Sequence, residues 1–162
     1  MGKREAKGTF WILLSFLLAM ILSLVPLPSW VEWFRPEWLL MVIIYWGVAT
    51  PHRVSIGIAW VLGLLLDAFN GTLLGEHALA MVVITYIVVS QHRRIRVFPL
   101  WQQGIVVLLL TAVFQLIVFM VQGAIGQIPQ TWLYWMPTLT SMMFWPWVYA
   151  VLREWRRRFK IA

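Results

Sequence analysis

RVSIGIAWVLGLLLDAFNGTLLGEHALAMVVITYIVVSQHRRIR, residues 53–96, has an arginine at its start, three near its end and no Lys or Arg between. Within it lie two apolar runs, 54–70 and 78–90, joined by a gap that holds Gly71, Gly75 and Glu76. Basic residues concentrate in the cytoplasmic loops of membrane proteins. The stretch therefore reads as two membrane crossings, out and back, with Arg53 and the Arg93, Arg94, Arg96 cluster on the inner face.

The same reading extends to both ends of the chain. Further apolar runs fall at 9–25, 38–50, 102–122 and 133–152, and the gaps between all six alternate in charge. Lys3, Arg4 and Lys7 precede the first run, and Arg153, Arg156, Arg157, Arg158 and Lys160 close the last. Of the 13 Lys and Arg residues, Arg35 alone falls in an odd-numbered gap, and Glu32, Glu37 and Glu76 lie there too. This asymmetry predicts an all-α integral membrane protein, a single polytopic domain over 1–162, with six transmembrane helices and both termini inside. Arg53, Arg93, Arg94, Arg96, Arg156, Arg157 and Arg158 set that topology.

Composition argues independently. A chain that is 62% hydrophobic and 12% charged has too little polar surface to coat a water-soluble globule of 162 residues. Its net charge of +7 sits in short clusters against apolar runs, with no separate basic domain to grip nucleic acid. Having no cysteine excludes disulfides, thiolate catalysis and Cys-based zinc sites. Pro26-Leu27-Pro28 follows the first run where a cleavable signal would show small residues.

Two of the runs are short. Residues 38–50 and 78–90 would span about 20 Å as helix, against a hydrocarbon core of about 30 Å. They predict helices that borrow flanking residues or sit in a thinned bilayer. Trp30, Trp33, Trp38, Trp132 and Trp135 flank the outer gaps, and Trp11, Trp101 and Trp155 flank the inner ones, as interfacial belts do. Pro137 and Pro146 inside the sixth run predict a kinked helix.

Helix faces add detail. Ser55, Ala59, Gly63, Asp67 and Gly71 recur every four residues, a stripe small enough for close helix approach. Thr111, Gln115 and Gln122 share one side of the fifth run and can hydrogen-bond across helices. Internal packing and docking of a partner's helix both account for these stripes. Asp67 is the one acid embedded in an apolar run, which marks it as a candidate site. It also lies about one turn from the outer end, where a carboxylate would order the turn Asp67–Thr72. His52, His77 and His92 fall at run edges with no metal-binding spacing. No nucleophile elbow or phosphate loop occurs. Glu76 and His77, adjacent and so pointing apart on a helix, read as solvated loop residues. No enzyme activity and no cofactor are expected.

Beyond these patterns, Phe34-Arg35-Pro36-Glu37-Trp38, Tyr45-Trp46, Pro51-His52-Arg53-Val54, GLLLDAFNGTLLGEHALA (63–80), Leu100-Trp101-Gln102-Gln103 and Phe144-Trp145-Pro146-Trp147 occur in an order that resembles the MreD family of rod shape-determining proteins, as found in gamma-proteobacteria. The resemblance covers essentially the whole chain. The family's G-x-x-x-D…G-x-x-L-G pattern falls on Gly63, Asp67, Gly71, Leu74 and Gly75, which makes these the candidate structural and partner-binding residues; Ser55, Ala59, Thr111 and Gln115 are candidates for polar packing. The resemblance implies a non-enzymatic subunit of the cell-elongation complex in the bacterial inner membrane. There it would pair with the bitopic protein MreC, with room for a homo-oligomer in that complex. It would act with MreB, RodZ, RodA and an elongation-specific transpeptidase to support lateral peptidoglycan synthesis. The family is also similar to the six-helix substrate-binding subunits of energy-coupling-factor transporters. That likeness implies an alternative function, a small-molecule- or lipid-binding subunit of a transporter.

Overall fold

A computed structural model describes residues 2–161 and contains only helices and their connections, with no strand among the described residues. The helices are α1 (Gly2–Leu24), α2 (Ser29–Glu32), α3 (Trp38–Ala49), α4 (Ile56–Asn70), α5 (Glu76–Ser90), α6 (His92–Val97), α7 (Leu100–Ala124) and α8 (Met136–Arg158). A 3₁₀ turn, Trp132–Trp135, leads into α8. A helix covers each of the six apolar runs, with shifted ends. α1 begins well before residue 9, and α8 carries the basic tail on as helix to Arg158. Two helices, α1 and α7, are long and apolar enough to cross a membrane by length and composition.

α3 occupies the centre. Leu39 through Gly47 are all buried, so nearly the whole helix is enclosed by protein. α1, α5 and α8 pack around it, α4 packs on α5, and α5, α7 and α8 follow side by side. A helix apolar on every side is one with neighbours on every side. At 12 residues it is about 18 Å long, and its shortness therefore meets other helices more than lipid.

The outside of the bundle is as apolar as its middle. Phe10, Leu13, Leu17 and Ile21 of α1 and Ile105, Leu109, Leu116 and Met120 of α7 are exposed. The interior meanwhile holds Ser15, Asp67, Glu76, Thr85, Gln103, Thr111, Gln115, Thr138 and Ser141. Such an apolar exterior is far larger than water-soluble monomers carry.

Pro137 falls in the first turn of α8, where a missing N–H costs nothing, and is not interior as its place in the run suggested. Pro146 does lie inside α8. The chain ends and loops sort into two groups. At one end, Arg53 donates to the Glu5 carbonyl at 3.0 Å and to Thr9 Oγ1, and packs on Gly8. There Trp11 stacks on Phe159, and Arg96 donates to the Val48 carbonyl at the C-terminus of α3. At the other end, Arg35 donates to the carbonyls of Ser23, in the last turn of α1, and of Val25 just beyond it, and the Glu37 N–H donates to Ser141 Oγ. The first is called the inner end below and the second the outer end.

Candidate functional site

Gly63 sets the position of α5 against α4. A Cβ on Gly63 would lie 2.6 Å from the Ala78 backbone nitrogen and closer still to its Cα. Only a residue without a side chain allows this approach, and it brings the first turn of α5 against the last turns of α4. One turn further along the same face, Asp67 is fully buried.

The Asp67 carboxylate is enclosed by donors. Thr72 Oγ1 donates to it at 2.9 Å, the Gly75 N–H at 3.0 Å and the His77 N–H at 3.1 Å. The Ala78 N–H lies at 3.5 Å, and His77 Nδ1 approaches Oδ1 at 2.6 Å. An ionised carboxylate only accepts, so the imidazole proton lies on Nδ1. The first N–H groups of a helix have no partner within it and favour a negative charge. Asp67 therefore caps α5 from the preceding helix, while the N-cap residue Gly75, at φ 100°, has no side chain to do so.

The turn between them is made by two glycines. Gly71 ends α4 in the left-handed region at φ 70°, and the Thr72 N–H reaches back to the Asp67 carbonyl at 3.1 Å. This 6→1 closure is the pattern that glycine permits at helix C-termini. A Cβ at Gly71 or Gly75 would meet nothing, so both serve conformation and neither serves packing.

Glu76 and His77 correct the expectation of solvated loop residues. Glu76 is only 2% exposed, and Gln122 Nε2 donates to its Oε1 at 2.8 Å from α7. Being adjacent, the two side chains do point apart: His77 faces α4 and Glu76 faces α7. The outer end thus ties α4, α5 and α7 together through groups that apolar periodicity leaves out. Gln115 extends the pattern to α8. Its Nε2 donates to the Tyr134 carbonyl at 2.9 Å, Tyr134 Oη donates to the Gln115 carbonyl at 2.8 Å, and Thr138 Oγ1 donates to Gln115 Oε1.

The remaining candidates separate from this cluster. Ala59 is fully buried on the same face of α4 as Gly63. Ser55 lies at the inner end, exposed, and caps α4 by accepting from the Ile58 N–H at 3.2 Å. Thr111 is buried with no partner for its hydroxyl. Leu74, 67% exposed, projects from the turn.

Beside the cluster lies a polar cavity of about 340 Å³, lined by Ser23, Glu32, Arg35, Glu37, Asn70 and His77 among others. Asp67 and Gln115 do not line it. Burial pushes the Glu37 carboxyl above the ordinary carboxylate range, against the opposing pull of His77 and Arg35. Among the described residues no group of three His, Cys, Asp or Glu is placed to hold a metal ion. Glu37, Glu76 and His77 were not singled out as site residues from the sequence. Their one local signal is an acid directly after a Pro or Gly where a helix starts: Glu37, after Pro36, is the N-cap of α3, and Glu76, after Gly75, is the first residue of α5.

The family model for rod shape-determining protein MreD matches residues 4–155. The rod shape-determining protein MreD of Haemophilus influenzae (strain ATCC 51907 / DSM 11121 / KW20 / Rd) is 34% identical over 152 residues, which is 94% of this chain and 94% of that protein. No solved structure matches. With an apolar exterior, polar groups bonded inside the bundle and a family match spanning nearly its full length, the chain belongs to the MreD family of rod shape-determining membrane proteins.

Proposed function

We propose that this protein serves rod-shape determination as a non-enzymatic scaffold of the cell-elongation complex, pairing with MreC in the bacterial inner membrane. In this reading all six long helices cross, with both termini in the cytoplasm, and the partner set includes MreB, RodZ, RodA and an elongation-specific transpeptidase. Lateral peptidoglycan synthesis is the process served. The orientation draws support from the grouping of the loops. The basic termini and the basic loops around Arg53 and Arg96 share the inner end, and the loops carrying Glu32, Glu37 and Glu76 share the outer end.

The observation that carries the scaffold reading is how the outer end uses its polar groups. The embedded acid Asp67, the first acid of α5 and the glutamines of α7 each bind another helix of this same chain. That arrangement makes a fixed outer surface suited to a partner helix, with Gly63 and Asp67 holding its shape. Copurification with tagged MreC tests it: wild type is retained, and Gly63→Leu is lost with rounding of cells. Retention of both Gly63→Leu and Asp67→Asn, with rod shape kept, would overturn the assignment of this segment.

A second reading, a small-molecule- or lipid-binding subunit, is favoured by the polar cavity beside Glu37 and His77. Substituting Glu37 and Arg35 would then alter shape without releasing MreC, which separates the two readings.

A further inference from the structure

At the inner end a second cavity, about 120 Å³, lies between the C-termini of α3 and α8 and the short helix α6. Arg96, Arg153 and Arg156 line it together with Tyr45, Tyr149 and Trp145. Three guanidinium groups from two separate segments converge there. The only ion pair of the basic tail among the described residues joins Arg157 to Glu154, so neither Arg153 nor Arg156 is matched by a carboxylate. Arg96 is held in place by donating to the Val48 carbonyl at 2.6 Å, which leaves donors of its planar fork unused.

Trp145 closes the floor of this cavity. Trp145 is 2% exposed, and its indole N–H has no hydrogen-bond partner. Indole is a donor only, and a buried donor left unpaired costs about 1–3 kcal/mol, so what it lacks is an acceptor. Gln103 lies at the same cavity, donates to the Ile95 and Phe98 carbonyls, and keeps its side-chain oxygen unmatched. Forked guanidinium groups and two tyrosines around one small space match an oxyanion with several acceptor atoms. The volume equals that of about four waters, room for a phosphate group but not for the acyl chains attached to one.

We propose that this cavity is a phosphate-binding site, in which Arg96, Arg153 and Arg156 grip a phosphate group. The phosphate is carried by an anionic phospholipid of the cytoplasmic leaflet or is free inorganic phosphate. Basic pockets between helices at that leaflet recognise such headgroups. The site is independent of which partner docks at the outer end.

The test uses the full chain in neutral detergent, titrated with short-chain phosphatidylglycerol, phosphatidylcholine or inorganic phosphate and read by native mass spectrometry. Phosphatidylglycerol should bind about tenfold or more tighter than phosphatidylcholine, and millimolar inorganic phosphate should displace it. The double substitution Arg153→Gln with Arg156→Gln should weaken binding about tenfold or more. Arg157→Gln with Arg158→Gln removes equal charge from the same helix outside the cavity and should change it less than about twofold. If inorganic phosphate binds with that same dependence while the two lipids bind equally, the site stands and its ligand is soluble phosphate. If both double variants weaken binding alike, the attraction is general surface charge and the proposal fails. Should the first double variant not fold, competition on the wild-type protein decides: phosphate that neither binds nor displaces phosphatidylglycerol overturns the site.

Discussion

The outer and inner ends of this bundle handle charge in opposite ways. At the outer end acids are taken inside and satisfied: Asp67 accepts from the Thr72 hydroxyl and from the Gly75 and His77 N–H groups, and Glu76 accepts from Gln122. At the inner end the charges are mostly basic, and Arg96 and Arg153 remain exposed around a cavity. A buried charge is tolerated only when fully hydrogen-bonded, so the outer end has one arrangement and little freedom to leave it. Exposed arginines on flexible stems adapt to what they meet. One end is built to hold a shape, and the other to meet an anionic surface.

The largest effect that would break this contrast is at Gly63. Alanine favours a helix interior over glycine by about 1 kcal/mol, so Gly63→Ala should stabilise α4 if the position were open. The Ala78 backbone beside it cannot move without shifting α5, and overpacking of this kind costs about 1–3 kcal/mol or more. Gly63→Ala should therefore lower thermal stability and accumulation. Gly57→Ala on the same helix, where a Cβ meets only Ser55 Oγ at 3.7 Å, should raise both slightly. Equal behaviour of the two would mean that α4 and α5 are not in close contact.

A loss of similar size is expected at Asp67. Asp67→Asn keeps the size and one carbonyl oxygen but replaces a carboxylate oxygen with an NH₂ that faces N–H donors. Hydrogen bonds to charged groups are worth about 1.5–3 kcal/mol, so destabilisation of that order is expected in a thermal melt. A silent Asp67→Asn would show that the charge contributes nothing and that Gly63 alone positions α5. At Gly71 the effect is smallest. With space around its missing side chain, Gly71→Ala meets only the left-handed strain at φ 70°, about 1 kcal/mol, measurable as a modest drop in melting temperature.

These differences also mark what was legible in the sequence. Apolar runs bounded by alternating charge placed every long helix, because hydropathy and basic residues act locally along the chain. The stripe through Ala59, Gly63 and Asp67 was readable for the same reason, since the 3.6-residue period puts those positions on one face. The burial of α3 was not, because a run apolar on all sides looks the same against lipid as against protein. Glu76 and His77 were misread as loop residues. Their partners lie on other segments, His77 paired with Asp67 ten positions earlier across a turn and Glu76 with Gln122 on α7, whereas sequence rules for helix caps look three residues ahead within one helix. Trp145 was hidden likewise, since a buried indole without a partner is visible only once its neighbours are placed.

The central claim is that the Asp67 carboxylate holds the first turn of α5 in place from α4. Amide hydrogen exchange in lipid nanodiscs, comparing wild type with Asp67→Asn, tests it directly. The Gly75, His77 and Ala78 N–H groups should be protected in the wild type and lose protection in the variant, while amides of α4 from Ala59 to Leu66 keep theirs. Unchanged protection at all three N–H groups, in a variant that still folds, would contradict the account.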